Sequence, residues 1–216
     1  MLALLALAVA KLMKVYTKIK DIIEGLSLKT IDPQRKPALE GLVAYIQEKK
    51  TARAPILLNF ICTHNSRRSH LAQVWAQALG AYYQIDKLYS YSGGTAATAL
   101  YSRVAQTLEN QGFHIHSLSD GDNPVYAIGH TENLPAVIGF SKEFDHPFNP
   151  QIGFAAIMTC NAADQDCPFI AGAEKRIPLT FQDPKISDGT PEQQATYEAR
   201  SLEIATELNY IFSKIR

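Results

Sequence analysis

The feature that most constrains this chain is an apolar run that ends at a cysteine, with an arginine six positions further on. The run 56–61 (Ile-Leu-Leu-Asn-Phe-Ile) predicts a buried strand, and a helical pattern follows Arg68. A short loop between a strand end and a helix start directs backbone N–H groups at an anion, and the helix dipole favours negative charge there. The spacing from Cys62 to Arg68 therefore predicts an oxyanion-binding loop with a reactive thiolate at its centre.

The side chains of this loop have distinct expected roles. Arg68, in the first helical turn, is placed to donate two hydrogen bonds to two ligand oxygens. The hydroxyl of Ser69 is placed to hydrogen-bond the thiolate. The alternative interpretation is an inert core cysteine beside a solvated Arg67-Arg68 pair. The predicted oxyanion-binding residues are Thr63, His64, Asn65, Ser66, Arg67, Arg68 and Ser69.

The loop resembles that of the low-molecular-weight protein tyrosine phosphatase superfamily, which includes the thioredoxin-coupled arsenate reductases. There the loop runs Cys-x5-Arg-Ser, with an asparagine at the position of Asn65. The resemblance implies that Asp183, in the pair Asp183-Pro184, is the general acid that protonates the departing oxygen. The alternative is an Asp-Pro turn without a catalytic role. The resemblance begins near Ile56, so the chain before it is an extension.

The two remaining cysteines separate the branches of that superfamily. Cys160 and Cys167 follow a second apolar run, 154–158, and their spacing fits neither a Cys-x-x-Cys redox motif nor a zinc knuckle. The arrangement resembles the second and third redox cysteines of the thioredoxin-coupled arsenate reductases. Two ordinary small apolar residues near a strand end are the alternative. A disulfide between them requires the segment to bend or unwind.

The resemblance implies that three cysteines act in turn to reduce arsenate to arsenite. Cys62 attacks arsenate, and Cys160 then resolves the adduct as a Cys62–Cys160 disulfide. Cys167 moves the disulfide to Cys160–Cys167, where a thioredoxin-type reductant recycles it. The alternative is a low-molecular-weight protein tyrosine phosphatase that hydrolyses phosphotyrosine or small phosphoesters through a phosphocysteine. A third possibility is a module that binds or senses oxyanions without turnover. None of these requires a cofactor or a metal.

Two positions depart from the pattern of the superfamily. His64 stands where glycine is usual, and Arg67 replaces a cysteine or another small residue. Neither change removes a required catalytic group, and Arg67 adds positive charge near the loop. The segment after Asp183-Pro184 lacks the adjacent tyrosines that eukaryotic members use beside phosphotyrosine. This favours a small oxyanion as the substrate.

Apolar runs that alternate with helical patterns predict an α/β fold. We expect a doubly wound four-stranded parallel sheet, as in the low-molecular-weight phosphatases, with an N-terminal helical extension and a hairpin-like insertion. The carboxyl ends of the strands would then collect Cys62, Cys160 and Asp183. The expected strands are 56–61, 87–91, 154–159 and 176–181; the extension is 1–54, with two helices between 15 and 49, the catalytic domain is 55–216, and the insertion is 118–150.

Composition and the first residues bear on partners and location. The 216 residues include 21 basic and 21 acidic ones with no basic stripe, so we expect no nucleic-acid partner.

The apolar run 1–10 is too short to span a bilayer. It ends in a triplet like a signal-peptidase site but has no preceding positive charge, and a start at Met13 explains it equally well. We expect a cytoplasmic protein without a membrane partner, because a recycled thiol needs a reducing compartment.

Overall fold

The central sheet of the protein has four parallel strands. The computed structural model describes residues 14–166 and 169–216. Its central strands are β1 (Ile56–Cys62), β2 (Leu88–Gly94), β6 (Phe154–Met158) and β7 (Ala173–Pro178), in the order β2-β1-β6-β7. Every residue of the inner strand β6 is buried, as expected when helices cover both faces of a parallel sheet. The predicted four-stranded parallel sheet is confirmed.

The last strand lies three residues earlier than the sequence indicates. The apolar alternation that predicted a strand at 176–181 continues past Pro178, where β7 ends. Leu179 and Phe181 are buried and donate backbone hydrogen bonds to the carbonyls of Met158 and Thr159. These residues leave the strand but continue beside the sheet, and they lead directly to Asp183.

Helices cover the sheet and bury its apolar side chains. Those after the first strand are α3 (Arg68–Tyr82), α4 (Ser102–Asn110), α5 (Asn161–Asp166) and α6 (Gln193–Ser213). Trp75 on α3 is fully buried, and its indole N–H donates to Ser201 on α6 at 2.9 Å. This contact joins the helix that follows the oxyanion loop to the last helix of the chain.

Two helices precede the first strand, as their apolar periodicity predicts. They are α1 (Thr17–Gly25) and α2 (Lys36–Thr51). Ile19 and Leu42 are fully buried in the same apolar cluster as Phe60 of β1, so both helices pack on the main core. The boundary between an extension and a catalytic domain near residue 54 stays a prediction.

The small sheet that includes the insertion has one strand more than a hairpin. Strands β3 (His114–Ser117), β4 (Tyr126–Gly129) and β5 (Val137–Gly139) form a separate antiparallel sheet in the order β3-β4-β5. The sequence predicts a hairpin within 118–150, and β4 and β5 pair in this way. β3 adds a strand to the hairpin from before the insertion.

Parts of the chain named in the sequence analysis lie outside the described residues. These are the apolar run 1–10, Met13 and Cys167. In the part of the chain that is described, no helix is both long enough and apolar enough to cross a membrane.

A buried histidine follows β4. The side chain of His130 is 1% exposed, and within the described residues neither ring nitrogen has a hydrogen-bond partner. Burial lowers the pKa of His130 from 6.5 to about 4, because the charged imidazolium loses its hydration there. Between these two values the unfolded chain binds a proton that the native protein does not, so the free energy of unfolding rises with pH across this interval.

We expect His130→Met to weaken this pH dependence. The wild-type protein should lose about 2 kcal/mol of stability through His130 alone when the pH falls from about 7 to about 5. The variant removes the titrating group without breaking a hydrogen bond that the described residues make. Urea unfolding at both pH values measures the difference. An equal loss of stability in both proteins would contradict this role of His130.

Candidate active site

The loop from Cys62 to Arg68 connects the end of β1 to the start of α3. Its carbonyl oxygens are turned outward and accept hydrogen bonds from neighbouring segments. This arrangement suits a cradle whose N–H groups face a central anion. The outward bonds are Thr95 N to Cys62 O (3.1 Å), Ala96 N to Thr63 O (2.9 Å), Ser141 Oγ to His64 O (2.9 Å) and Tyr101 N to Ser66 O (3.1 Å).

Asn65 shapes the loop and connects it to the thiol. Its φ of 42° lies in the left-handed region, which asparagine tolerates better than most residues. Its Nδ2 donates to Ser69 Oγ at 2.9 Å, and Ser69 Oγ lies 3.1 Å from Cys62 Sγ. Because Ser69 Oγ accepts from Asn65, its own proton is available to donate to the sulfur. The contact places a hydroxyl donor at the sulfur of Cys62, which is itself buried.

His70 supports Asn65 from behind the loop. The fully buried ring lies 2.9 Å from Asn65 O through Nε2 and 3.2 Å from Ser92 Oγ through Nδ1. Burial, together with the charge of nearby Lys142, lowers the pKa of His70 to about 3. The ring is therefore neutral, which fits an Nε2–H that donates to Asn65 and an Nδ1 that accepts from Ser92.

Sequence reasoning missed these supporting contacts. Lys142 also takes part, because its backbone N–H donates to Asn65 Oδ1 at 2.9 Å. His70 follows Ser69 directly and is a candidate by position alone, but no spacing in the sequence connects Ser92 or Lys142 to the loop. Only the fold brings β2 and the segment after β5 against it.

Gly94 packs so closely against the loop that there is no room for a side chain at this position. A Cβ at this position would lie 2.4 Å from Ala96 O, 2.7 Å from Asn65 N and 2.8 Å from Thr63 O. All three are backbone atoms, so no side-chain rotation relieves the overlap. The last residue of β2 must therefore be a glycine if the loop is to keep this conformation.

We expect Gly94→Ala to destabilise the protein by about 3 kcal/mol and to weaken the binding of inorganic phosphate. Gly41→Ala on α2 is the matched control, since a Cβ there meets no atom within 4 Å. The control should be neutral or stabilise the protein by up to about 1 kcal/mol. Urea unfolding and calorimetric titration with phosphate measure both effects, and similar results for the two variants would contradict the crowding at Gly94.

Arg68 and Asp183 meet beside the loop. Arg68 Nη2 donates to Asp183 Oδ2 at 2.5 Å, and Arg68 Nη1 donates to Phe181 O at 3.0 Å. Arg68 Nε is buried and has no hydrogen-bond partner among the described residues. A buried donor without an acceptor is costly, so Arg68 Nε is a candidate donor to a ligand oxygen.

Cys160 lies at the end of the strand next to the one that carries Cys62. Met158 pairs with Ile61, and Thr159 N donates to Ile61 O at 2.7 Å, so both cysteines follow this paired end. Cys160 is buried in the same small apolar cluster as Cys62. Its sulfur lies 3.4 Å from Thr63 Oγ1, the residue directly after Cys62. Two of the three predicted redox cysteines thus share one edge of the sheet, and the third lies outside the described residues.

The two residues that depart from the superfamily pattern have different surroundings. The side chain of His64 is exposed. The guanidinium of Arg67 donates through Nε to Tyr197 OH on the last helix and through Nη2 to Asp188 Oδ2, which precedes that helix; both distances are 2.6 Å. The sequence did not single out Asp188, although it lies five residues after Asp183.

The chain has relatives among characterised proteins. The chain is 27% identical over 126 residues to "Arsenate reductase 2" and to "Arsenate reductase" from two strains of Staphylococcus epidermidis. The match covers 58% of this chain and 76% of each relative. This chain is similar to arsenate reductases. The resemblance that Cys62, Arg68 and Asp183 suggested is thereby confirmed, and no protein-family model matches the sequence.

Solved structures also align with this chain, at low sequence identity. A low-molecular-weight phosphotyrosine phosphatase from Vibrio cholerae aligns with a TM-score of 0.49 at 13% identity, over 71% of this chain and 92% of its own. A thioredoxin-dependent arsenate reductase from Corynebacterium glutamicum aligns with a TM-score of 0.38 at 20% identity, over 78% and 67%.

Proposed function

We propose that the protein reduces arsenate to arsenite by a relay of cysteine thiols. The observation that carries the proposal is the position of Cys160, whose sulfur is buried at the strand end beside the Cys62 loop and contacts Thr63 of that loop. A hydrolase needs no second thiol there. A reductase needs one to take the sulfur of Cys62 off the arsenic.

The first step is attack on arsenate. The Cys62 thiolate forms a bond to arsenic while an oxygen leaves as water, with its proton supplied by Asp183. Arg68 holds the oxyanion through donors that include its buried Nε, and the Ser69 hydroxyl stabilises the thiolate before attack. The remaining loop residues, from Thr63 to Arg67, contribute backbone N–H groups to the anion.

The second step is the redox step. The Cys160 thiolate attacks Cys62 Sγ, the sulfur–arsenic bond breaks, and its electron pair stays on arsenic, which leaves as arsenite. The Cys62–Cys160 disulfide holds the oxidised sulfurs. Cys167 then attacks Cys160, releases Cys62 as a thiolate and leaves a Cys160–Cys167 disulfide. A thioredoxin-type dithiol reduces this disulfide and supplies the two electrons in a reducing compartment such as the cytoplasm.

A side-by-side assay tests this proposal. The purified protein is given arsenate with a thioredoxin, its reductase and NADPH, and separately an aryl phosphate. We expect arsenite production that depends on thioredoxin and is faster than aryl phosphate hydrolysis. Hydrolysis of aryl phosphate without arsenate turnover, unaffected by Cys160→Ser, would overturn the reductase and establish the phosphatase. Binding of both oxyanions without turnover would overturn both enzymes.

A further inference from the structure

Two consecutive arginines hold the two ends of one short turn. Asp183 and Asp188 flank the 3₁₀ helix Pro184–Ser187 directly, one before it and one after it. Arg68 forms the ion pair with Asp183 at 2.5 Å, and Arg67 forms the ion pair with Asp188 at 2.6 Å. The turn that carries the proposed general acid is therefore attached at both ends to the loop that carries the nucleophile.

The Arg67 end is the more extensively bonded of the two. Asp188 accepts hydrogen bonds from Arg67 on Oδ2 and from Tyr197 OH and Gln193 Nε2 on Oδ1, at 2.6, 2.6 and 3.0 Å. Arg67 Nε also donates to Tyr197 OH, which closes a ring of three side chains. The guanidinium lies 4.3 Å from the ring centre of Tyr101. Charge-assisted bonds and stacking on an aromatic face both favour arginine over lysine here.

The Arg68 end has a second task in the proposed reaction. Arg68 is the residue that the proposed reaction assigns to the oxyanion, and its Nη2 is bonded to Asp183. An oxyanion that accepts from Nη2 as well as from Nε would compete with Asp183 and weaken the contact that positions the acid. The position of Asp183 is then set by two contacts. Its Oδ1 accepts from Lys185 N at 3.1 Å, and Arg67 holds the other end of the turn at Asp188.

We propose that Arg67 is a positioning residue, which anchors the Asp183–Asp188 turn so that Asp183 stays beside the loop when Arg68 binds the oxyanion. This inference rests on the proposed reaction, because it needs Asp183 as the proton donor. Arg67 acts through the turn by its side chain, while its backbone N–H remains part of the cradle.

Leaving-group dependence distinguishes this role from direct contact with the oxyanion. Phenyl phosphate needs a proton donor for its poor leaving group, whereas 2,4-dinitrophenyl phosphate needs little help. We expect Arg67→Lys to lower kcat on phenyl phosphate by about tenfold and on 2,4-dinitrophenyl phosphate by less than about twofold. The Kd for inorganic phosphate should stay within about twofold of wild type, since the anion contacts are retained. Tyr197→Phe should have the same selectivity with a smaller effect.

Arg103→Lys is the matched control on α4, and it should leave both rates unchanged. Equal losses on the two aryl phosphates, with weaker phosphate binding, would overturn the proposal and make Arg67 an oxyanion ligand. Unchanged rates on both substrates would overturn any role of the Arg67 side chain in the reaction.

A readout without turnover separates this inference from the proposed function. One outcome is that the wild-type protein hydrolyses neither aryl phosphate. In that case, hydrogen exchange in the presence of inorganic phosphate tests whether Arg67 anchors the Asp183–Asp188 turn. Backbone amides of residues 185–188 should then exchange at least about tenfold faster in Arg67→Lys than in wild type, while those of 88–94 are unchanged. Equal exchange at 185–188 in the two proteins would overturn the anchoring role, whatever reaction the protein catalyses.

Discussion

Cys62→Ser is expected to abolish arsenate reduction and aryl phosphate hydrolysis alike, with a loss of at least about 10⁴-fold in kcat. Every proposed step begins with the sulfur of Cys62, and a serine hydroxyl is a far weaker nucleophile at neutral pH. The contact with Ser69 is available to either side chain, so the loop should keep its conformation. Steady-state assays with both substrates measure the loss.

The control for this variant is anion binding. Calorimetric titration should give a Kd for inorganic phosphate within a few-fold of wild type, because Arg68 and the loop amides are unchanged. Turnover in Cys62→Ser above about 1% of wild type would contradict the assignment of the nucleophile.

Arg68→Lys is expected to lower kcat/KM by about 10²- to 10³-fold and to weaken phosphate binding. A lysine ammonium cannot reproduce the planar fork, which donates to Asp183 and Phe181 and in the proposed reaction also holds the oxyanion. Arg53→Lys, at an exposed position after α2, is the matched control and should behave as wild type. A loss of less than about fivefold in Arg68→Lys would contradict its role as the oxyanion ligand.

The central sheet could be predicted because its strands are local apolar patterns. Residues 56–61 and 154–158 are fully or almost fully apolar, and they form the two inner strands. The end of β7 could not be placed in the same way. Leu179 and Phe181 continue its alternation without belonging to it, since hydrogen bonding beside the sheet replaces the strand there. The hairpin of β4 and β5 was predicted, but its third strand depends on pairing between segments that no local pattern connects.

The candidate site was predictable where its members share one motif. Cys62 and Ser69 lie in the same eight residues, and the contact between their side chains is the one predicted from the sequence. The hydrogen bond from Asn65 to Ser69 was not predicted. The supports from other elements were not predictable. Asp188 lies in a turn with no distinctive pattern, and its contact with Arg67 depends on the packing of α6 against α3 and against the 3₁₀ helix.

The most direct test of the relay is to identify the disulfide that arsenate produces without an external reductant. Equimolar arsenate is added to the reduced protein, free thiols are blocked, and peptides are identified by mass spectrometry. We expect a Cys160–Cys167 disulfide in wild type, a trapped Cys62–Cys160 disulfide in Cys167→Ser, and one equivalent of arsenite in each. Cys160→Ser should yield neither disulfide. Arsenite production over many turnovers in Cys160→Ser, or no disulfide in wild type after arsenite has formed, would contradict the relay.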